Sequence, residues 1–324
     1  MNKHGMMACI VCLLVVFVLG GGFPFAQEKF PTKPINIIVP FSPGGNVDVN
    51  AQLMRSHLQK ILGVSVVVVS KPGGSTTIGA NLAANSPPDG YTLMAHTPSL
   101  LCTRYTVKSG VSHEKFVPVI RTVVVPLAIT VRADAPWKDF KEFIDHAKKN
   151  PEKVKEGHSG VGAMAHLTAV GLEMTTGAKF THVPFKGAGP SITALVGGHI
   201  DFMLHDLSST FPFIQAKKLR ALGVSSVERS HVVPDVPTFK ELGLDLDVGS
   251  WVTYFVPKGT AKERIEILHQ AFKEAMNTPE HLDMYKKQGG IVEYMEPENL
   301  AGFLDQQDKF LKKIIDFAGI KPME

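Results

Sequence analysis

One stretch of the sequence constrains the fold more than any other: a short apolar run that ends in a turn rich in proline and glycine. Ile35–Val39 is typical of a buried strand, Pro40 and Pro43 end it, and Gly44-Gly45 form a tight turn. An amphipathic helix follows, with apolar residues at helical spacing at Val47, Ala51, Met54, Leu58 and Ile61. Such a turn presents unpaired backbone N–H groups, which bind anions without a charged side chain. Many βα turns of this composition bind nothing, so both interpretations stay open here.

The side chains around this turn have their own predicted roles. Ser42 or Asn46 is expected to cap the helix, and either could also reach a ligand. Asp48 is expected to hold the loop or the helix start, with a ligand amine as the alternative partner.

The same strand, turn and helix order recurs along the chain. Residues 64–69 predict a parallel strand buried on both faces, followed by Gly73-Gly74 and a helix from Ile78. Residues 91–95 predict a third strand, with a loop at 96–99. In the second half, a glycine-rich turn at 157–162 precedes a helix over 163–175, and a strand at 200–204 precedes His205-Asp206. Ligands bind at the carboxyl ends of strands in open α/β sheets, so these loops predict a cleft between two lobes.

Prolines indicate where the chain passes between the lobes. Pro126 interrupts a strand-rich region at 117–131, which suits a crossover, and a helix is expected to start at Pro136. Residues 251–256 alternate like a strand that returns to the first lobe. The predicted lobes are therefore residues 27–126 with 250–324, and residues 127–249. Two crossings between lobes make a hinge that closes around a ligand.

The amino terminus has the pattern of a cleavable signal peptide. Residues 6–19 are apolar and uncharged after a short basic start, and a small residue, Ala26, offers a cleavage point that assigns residues 1–26 to the signal. Cys102 is then the one remaining cysteine, so no internal disulfide is expected. The net charge of +4 is too mild to indicate a nucleic-acid partner, and it favours a small anionic ligand.

The sequence offers residues for catalytic and metal interpretations, and each meets an objection. Ser159, His166 and Asp206 are the residue types of a hydrolase triad, but Val161 stands where a nucleophile elbow needs glycine. The histidine pairs 158/166 and 199/205 lack the spacing of zinc sites. The sequence therefore predicts neither catalytic residues nor a metal or cofactor, and a secreted α/β serine hydrolase stays as the alternative.

Several motifs together give a specific resemblance over residues 29–324. The chain resembles the periplasmic solute-binding receptors of tripartite tricarboxylate transporters, the Bug receptors. The motifs are Phe30-Pro31-Thr32-Lys33-Pro34-Ile35, Val39-Pro40-Phe41-Ser42-Pro43-Gly44-Gly45, Pro87, Asp89-Gly90-Tyr91-Thr92-Leu93, Ser159-Gly160-Val161-Gly162, His166-Leu167, Val183-Pro184-Phe185-Lys186-Gly187, Arg220-Ala221-Leu222 and Pro234-Asp235-Val236-Pro237-Thr238.

The resemblance implies a two-lobe periplasmic binding protein fold, type II-like, that clamps a small carboxylate and passes it to membrane transporter subunits. It implies a non-enzymatic, monomeric, periplasmic receptor; a ligand-loaded sensor is a further alternative. The implied ligand-binding residues are Phe41, Ser42, Gly44, Gly45, Asn46, Val47, Asp48, Ser75, Thr76, Thr77, Thr97, Ser159, Gly162, Ala163, His166, Lys186, His205 and Asp206.

Two positions depart from the family pattern. Val47 stands where the family usually has Thr or Ser, and His205-Asp206 stands where it usually has Asp-Asn. The second change places a possible donor where an acceptor is usual. It predicts an aromatic or dicarboxylic acid as ligand rather than an ordinary amino acid.

Overall fold

The computed structural model describes residues 29–246, 248–287 and 289–322. The predicted signal peptide at 1–26 lies outside these residues. The strands, in chain order from β1 to β10, are Ile35–Val39, Val66–Ser70, Thr92–His96, Phe116–Val125, Leu127–Arg132, Val154–His158, Phe180–Pro184, Phe202–Asp206, Leu219–Val224 and Ser250–Pro257. The helices, from α1 to α10, are Asn46–Leu62, Thr77–Ala84, Ser99–Thr106, Phe140–Lys149, Met164–Thr176, Ala188–Val196, Leu207–Gln215, Lys262–Met276, Pro279–Lys287 and Pro297–Ala318.

The strands form two sheets of the same design. The first sheet has the order β2-β1-β3-β10-β4 and the second has the order β7-β6-β8-β5-β9. In each sheet three strands run parallel, and the fourth position holds an antiparallel strand that the chain enters on arriving from the other sheet. The carboxyl ends of the three parallel strands therefore lie at one edge of each sheet.

The chain passes between the sheets twice, by connections of unequal length. Pro126 alone separates β4 from β5, which agrees with the crossover predicted from its position. The return runs from Val224 to Ser250, and β10 then inserts between β3 and β4. The lobe boundaries predicted from the sequence stay a prediction, although the sheets change at these two places.

The last helix, α10, packs against elements from both halves of the chain. Its contacts include α3 and β4 on the side of the first sheet and α5 on the side of the second. Gly171 allows α5 to lie close to α10 and to Leu246, because a Cβ at this position would lie 2.9 Å from the Leu246 side chain and 3.2 Å from that of Ile314. The described residues contain no helix with both the length and the apolar character that a membrane span requires.

Three local expectations are wrong. Strand β2 is an edge strand, and Val67 is 44% exposed, so this strand is not buried on both faces. Helix α4 begins at Phe140 rather than at Pro136, because the Asp139 side chain accepts the Glu142 N–H at 2.9 Å and caps it there. Helix α1 has Gly45 as its N-cap and no side-chain cap, so neither Ser42 nor Asn46 caps it.

Candidate functional site

A cavity of about 240 Å³ lies at the carboxyl ends of strands from both sheets. Six of the predicted ligand-binding residues line it: Phe41, Thr97, Ser159, Ala163, His205 and Asp206. Five lining residues were not predicted: Ser99, Leu127, Met164, Ala165 and Ser250. The cavity therefore joins residues that are far apart in the sequence, as expected for a cleft that both sheets build.

A larger cavity, of about 580 Å³, lies away from these residues. Its lining includes Glu266, Glu296 and Glu298 beside Lys262 and His269, and none of the predicted ligand-binding residues. The smaller cavity is the better candidate for the predicted carboxylate, because six of those residues line it.

The turn after β1 is held by a buried carboxylate. Asp48 Oδ2 accepts the Gly44 N–H at 2.9 Å, and the Ser70 hydroxyl lies 3.4 Å from Oδ1. Val47 and Asp48 are buried beneath the turn, whereas Ser42, Gly44 and Gly45 are exposed. Asn46 Oδ1 accepts from the Tyr285 hydroxyl at 3.4 Å. Asp48 thus holds the loop, as the sequence favours. Among residues 41–48, Phe41 lines the cavity.

The turn before α2 is strained and is tied to β3 by a buried histidine. Ser75 and Thr76 have φ values of 50° and 79°, which L residues, and β-branched ones above all, adopt at a cost. His96 Nδ1 lies 2.9 Å from the Thr97 backbone nitrogen and 3.1 Å from the Thr97 carbonyl oxygen, and Nε2 is hydrogen-bonded to Thr76 Oγ1 at 3.1 Å. Burial lowers the pKa of His96 to about 4, which keeps it neutral. Thr77 is buried and its hydroxyl donates to the Gly74 carbonyl at 2.7 Å.

His96 also makes an edge-on contact with Phe41, with ring centroids 5.2 Å apart. One imidazole therefore joins three consecutive loops of the first sheet. Sequence reasoning missed this role of His96, because the order of residues does not show which loops meet at a strand end.

The turn after β6 is held by two imidazoles. His158 Nδ1 accepts the Gly160 N–H at 3.2 Å, and His166 Nδ1 accepts the Gly162 N–H at 3.2 Å. The two rings stack with centroids 4.4 Å apart. Both histidines are at least nine-tenths buried. Gly162 has a φ of 77°, and a Cβ there would lie 3.2 Å from the Thr106 methyl group, so this position favours glycine.

Helix α5 starts at the cavity without a side-chain cap. Its N-cap residue is Ala163, which has no polar side chain, and Met164 and Ala165 line the cavity. The first N–H groups of a helix have no partner within the helix, and they carry the positive end of its dipole. This start, with the Ser159 hydroxyl beside it, can bind a carboxylate.

Two glutamates, Glu156 and Glu173, and His182 form a cluster behind the turn that follows β6. Glu156 is fully buried and pairs with His182 at 3.1 Å, and His182 Nε2 lies 3.5 Å from Glu173. Burial opposes protonation of His182, but the two glutamates raise its pKa to about 9. Burial raises the pKa of Glu156 to about 7 against the effect of His182. Burial and the neighbouring His158 and His182 lower the pKa of His166 to about 3.

The end of β8 brings His205 and Asp206 to the cavity. The structure extends this strand to Asp206, so both residues belong to it rather than to a following loop, and α7 begins at once at Leu207. His205 Nδ1 accepts the Asp206 N–H at 2.8 Å. Burial raises the pKa of the Asp206 carboxyl, while His205 and a hydrogen bond from Ser250 oppose this.

Lys186 and His166, which the sequence also singles out, have the following surroundings. Lys186 is exposed on the turn before α6. His166 uses Nδ1 to accept an N–H, whereas a triad histidine donates its Nδ1 proton to a carboxylate. The described residues hold no group of three or more His, Cys, Asp or Glu positioned to bind a metal ion.

Comparison with known proteins decides the family. Residues 50–320 match the family model of the tripartite tricarboxylate transporter family receptor, TctC. The chain belongs to this receptor family. A relative, the protein BugT of Bordetella pertussis, is 30% identical, over 97% of this chain and 99% of its own.

Solved structures of similar proteins agree with the fold. A TctC solute-binding protein from Polaromonas has a TM-score of 0.79 and 33% identity, covering 89% of this chain and 99% of its own. The Rpa4515 protein of R. palustris, solved with adipate, has a TM-score of 0.78 and 27% identity, covering 91% of this chain and 100% of its own. The fold predicted from the sequence, a two-lobe periplasmic binding protein, is confirmed.

Proposed function

We propose that this TctC-family receptor acts outside the cytoplasm, captures one small organic carboxylate in the 240 Å³ cavity and delivers it to membrane subunits of a tripartite tricarboxylate-type transporter. The observation that carries the proposal is the meeting, in one cavity, of the uncapped start of α5 with the hydroxyls of Ser159, Thr97 and Ser99. Charge-assisted hydrogen bonds to a carboxylate contribute about 1.5–3 kcal/mol each, so a few suffice for micromolar affinity. In this proposal the receptor is a monomer in the periplasm and has no enzymatic role.

The lining also supports an organic body on the ligand. Phe41, Leu127 and Met164 give the cavity an apolar part beside the hydroxyl groups. A relative of similar fold holds adipate, and another, the MatC protein of Rhodopseudomonas palustris, holds malate, at 27% identity and a TM-score of 0.74. Dicarboxylic and aromatic acids are therefore the first ligands to test.

The predicted ligand-binding residues that do not line the cavity are proposed to support those that do. Asp48, Thr76, Thr77, Gly162 and His166 hold the turns whose neighbours reach the cavity. Val47 packs beneath the first turn. Ser42, Gly44, Gly45, Asn46, Ser75 and Lys186 are proposed to contact ligand only through a rearrangement of these turns.

A thermal-shift screen against mono-, di- and tricarboxylates, aliphatic and aromatic, tests the function. Ligand at 100 times its Kd adds about 2.7 kcal/mol of stability, which gives a clear rise in Tm. Ser159→Ala should reduce the shift at a fixed ligand concentration, whereas the matched Ser86→Ala, whose hydroxyl donates to the Leu82 carbonyl, should not. The proposal fails if no carboxylate raises the Tm of protein unfolded and refolded to remove any carried-over ligand.

Turnover is measured in the same samples. Hydrolysis of simple esters that disappears in Ser159→Ala would favour the hydrolase alternative over the receptor.

A further inference from the structure

The charge distribution of the cavity is unusual for a site that takes an anion. Among the lining residues that the structure describes, Asp206 has the one carboxyl group, and neither Lys nor Arg is present. The donors are the hydroxyl groups, the His205 ring and the backbone N–H groups at the start of α5. A monocarboxylate can be satisfied by these donors, but a second carboxylate has no cation to balance it.

Asp206 is held in place at the cavity by its neighbours on two strands. The residue ends β8 and is the N-cap residue of α7, but its side chain makes no capping hydrogen bond. The carboxyl group instead accepts from Ser250, at the start of β10, and both residues line the cavity. The carboxyl group is therefore directed away from the helix it precedes and is available to a ligand.

The protonation of Asp206 decides what it can do there. As a carboxylate it only accepts hydrogen bonds, whereas as a carboxylic acid it also donates one. Burial already raises its pKa. A second carboxylate next to it raises the pKa of the pair further, because two carboxylates in one site do not both ionise readily.

We propose that Asp206 determines ligand specificity in this cavity, and that a dicarboxylate is admitted only together with one proton, which its second carboxylate shares with Asp206. The proton comes from solvent and lies in a hydrogen bond between the two oxygens; no covalent bond to carbon changes. This inference rests on the proposed carboxylate-binding function and names the condition under which a second acid group is accepted.

Other titratable groups near the cavity act differently. His158 and His166, behind the Ser159 turn, have lowered pKa values and stay neutral near neutral pH. Glu156, His182 and Glu173 lie deeper behind this turn and pair with each other. His205 lines the cavity beside Asp206 and faces the same ligand, so it needs its own control.

Calorimetric titration with adipate, and with hexanoate as the monocarboxylate of equal length, tests the proposal. For wild-type protein the Kd of adipate should rise up to about tenfold per pH unit between about pH 6 and about pH 8, whereas that of hexanoate should change less than about twofold. Titration in two buffers of different ionisation heat should show about one proton taken up per adipate and none per hexanoate.

Asp206→Asn is the decisive variant, because an amide donates like the protonated acid and does not titrate. It should bind adipate with a Kd independent of pH and lower than that of wild type at about pH 8. His205→Gln should keep the pH dependence. The proposal is overturned if the dependence persists in Asp206→Asn, disappears in His205→Gln, or is equal for adipate and hexanoate.

The absence of adipate binding is also informative. If hexanoate or another monocarboxylate binds at about pH 6 but no dicarboxylate of three to six carbons does, the inference is wrong and the proposed function stands. If no carboxylate of either kind binds, the proposed function itself fails. Denaturant unfolding of both variants confirms that they are folded.

Discussion

The turn after β1 and the turn after β6 have the same place in their sheets but are held by different chemistry. In the first turn one carboxylate, Asp48, accepts the Gly44 N–H. In the second turn two stacked imidazoles, His158 and His166, accept the N–H groups of Gly160 and Gly162. An imidazole nitrogen accepts a hydrogen bond only while it is unprotonated. The second turn therefore depends on the protonation of its two imidazoles. The His166 ring packs edge-on against His182, with centroids 4.9 Å apart, and His182 pairs with the buried Glu156.

The largest effect is expected from the pair beneath the second turn. Glu156→Ala should destabilise the protein by about 3 kcal/mol, because it removes a fully buried carboxylate and leaves the half-buried His182 with Glu173 as its remaining partner. Glu156→Gln should cost less, since it keeps the volume and a hydrogen-bond acceptor. In the described part of the chain, Glu156 Oε1 has no hydrogen-bond partner and Oε2 pairs with His182. The side-chain amide of Glu156→Gln would therefore keep only the contact made by its oxygen. Urea unfolding measures the free energy of unfolding of both variants. If both lost an equal and small amount, the pairing of Glu156 with His182 would not stabilise this region.

A smaller effect is expected at the first turn. Asp48→Ala should reduce the free energy of unfolding by about 1–3 kcal/mol, because the buried side chain no longer accepts the Gly44 N–H. Asp48→Asn keeps an oxygen acceptor and should recover part of the loss. Ser70→Ala removes only the 3.4 Å contact and is the matched control. If Asp48→Ala and Ser70→Ala lost the same stability, the hydrogen bond to the turn would not be the cause.

The smallest effect is a difference in acid sensitivity. Burial lowers the pKa of His166 to about 3, so the unfolded chain, with a histidine pKa near 6.5, binds more protons between these values. The contribution of His166 to stability should therefore fall as the pH decreases below about 6.5, by at most about 1.4 kcal/mol per pH unit. Glu156, whose pKa is raised to about 7, contributes in the opposite direction as the pH falls from about 7, so the test is the difference in slope between wild type and a His166 variant.

The lowered pKa of His158 adds to this slope in the same direction. His166→Gln keeps an acceptor that does not titrate, so its slope should be shallower than that of wild type. Unfolding in urea at about pH 7, 6 and 5 gives both slopes. Identical slopes for wild type and His166→Gln would show that protonation of His166 does not affect the stability of the second turn.

The regular parts of the fold could be predicted because each depends on local pattern. The apolar spacing of Val47, Ala51, Met54 and Leu58 gives the buried face of α1, and Pro126 marks the first passage between sheets.

Strand β2 shows the limit of prediction from local pattern. A run of valines reads as buried on both faces, but its place at the edge of the sheet depends on which strands pair, and no local pattern encodes this.

The candidate site was predicted where residues follow strands and missed where they meet across the fold. Phe41 and Thr97 each follow a predicted strand, and Ser159 lies in a predicted glycine-rich turn, although Gly157 and His158 of that turn belong to the unpredicted strand β6. Ser250 precedes β10 and reaches the cavity only because that strand returns to the first sheet. Glu156 and His182 lie on adjacent strands 26 residues apart, and their pairing follows from the register of β6 and β7. Burial and register, which create these contacts, are not visible in the sequence.

The return of β10 to the first sheet also has a consequence in time. All strands of the second sheet lie within residues 127–224, so they are present once that continuous segment has been synthesised. The first sheet lacks the strand between β3 and β4 until residues 250–257 have followed. A chain growing from its amino terminus therefore has the complete second sheet available before the first, although it begins with strands of the first.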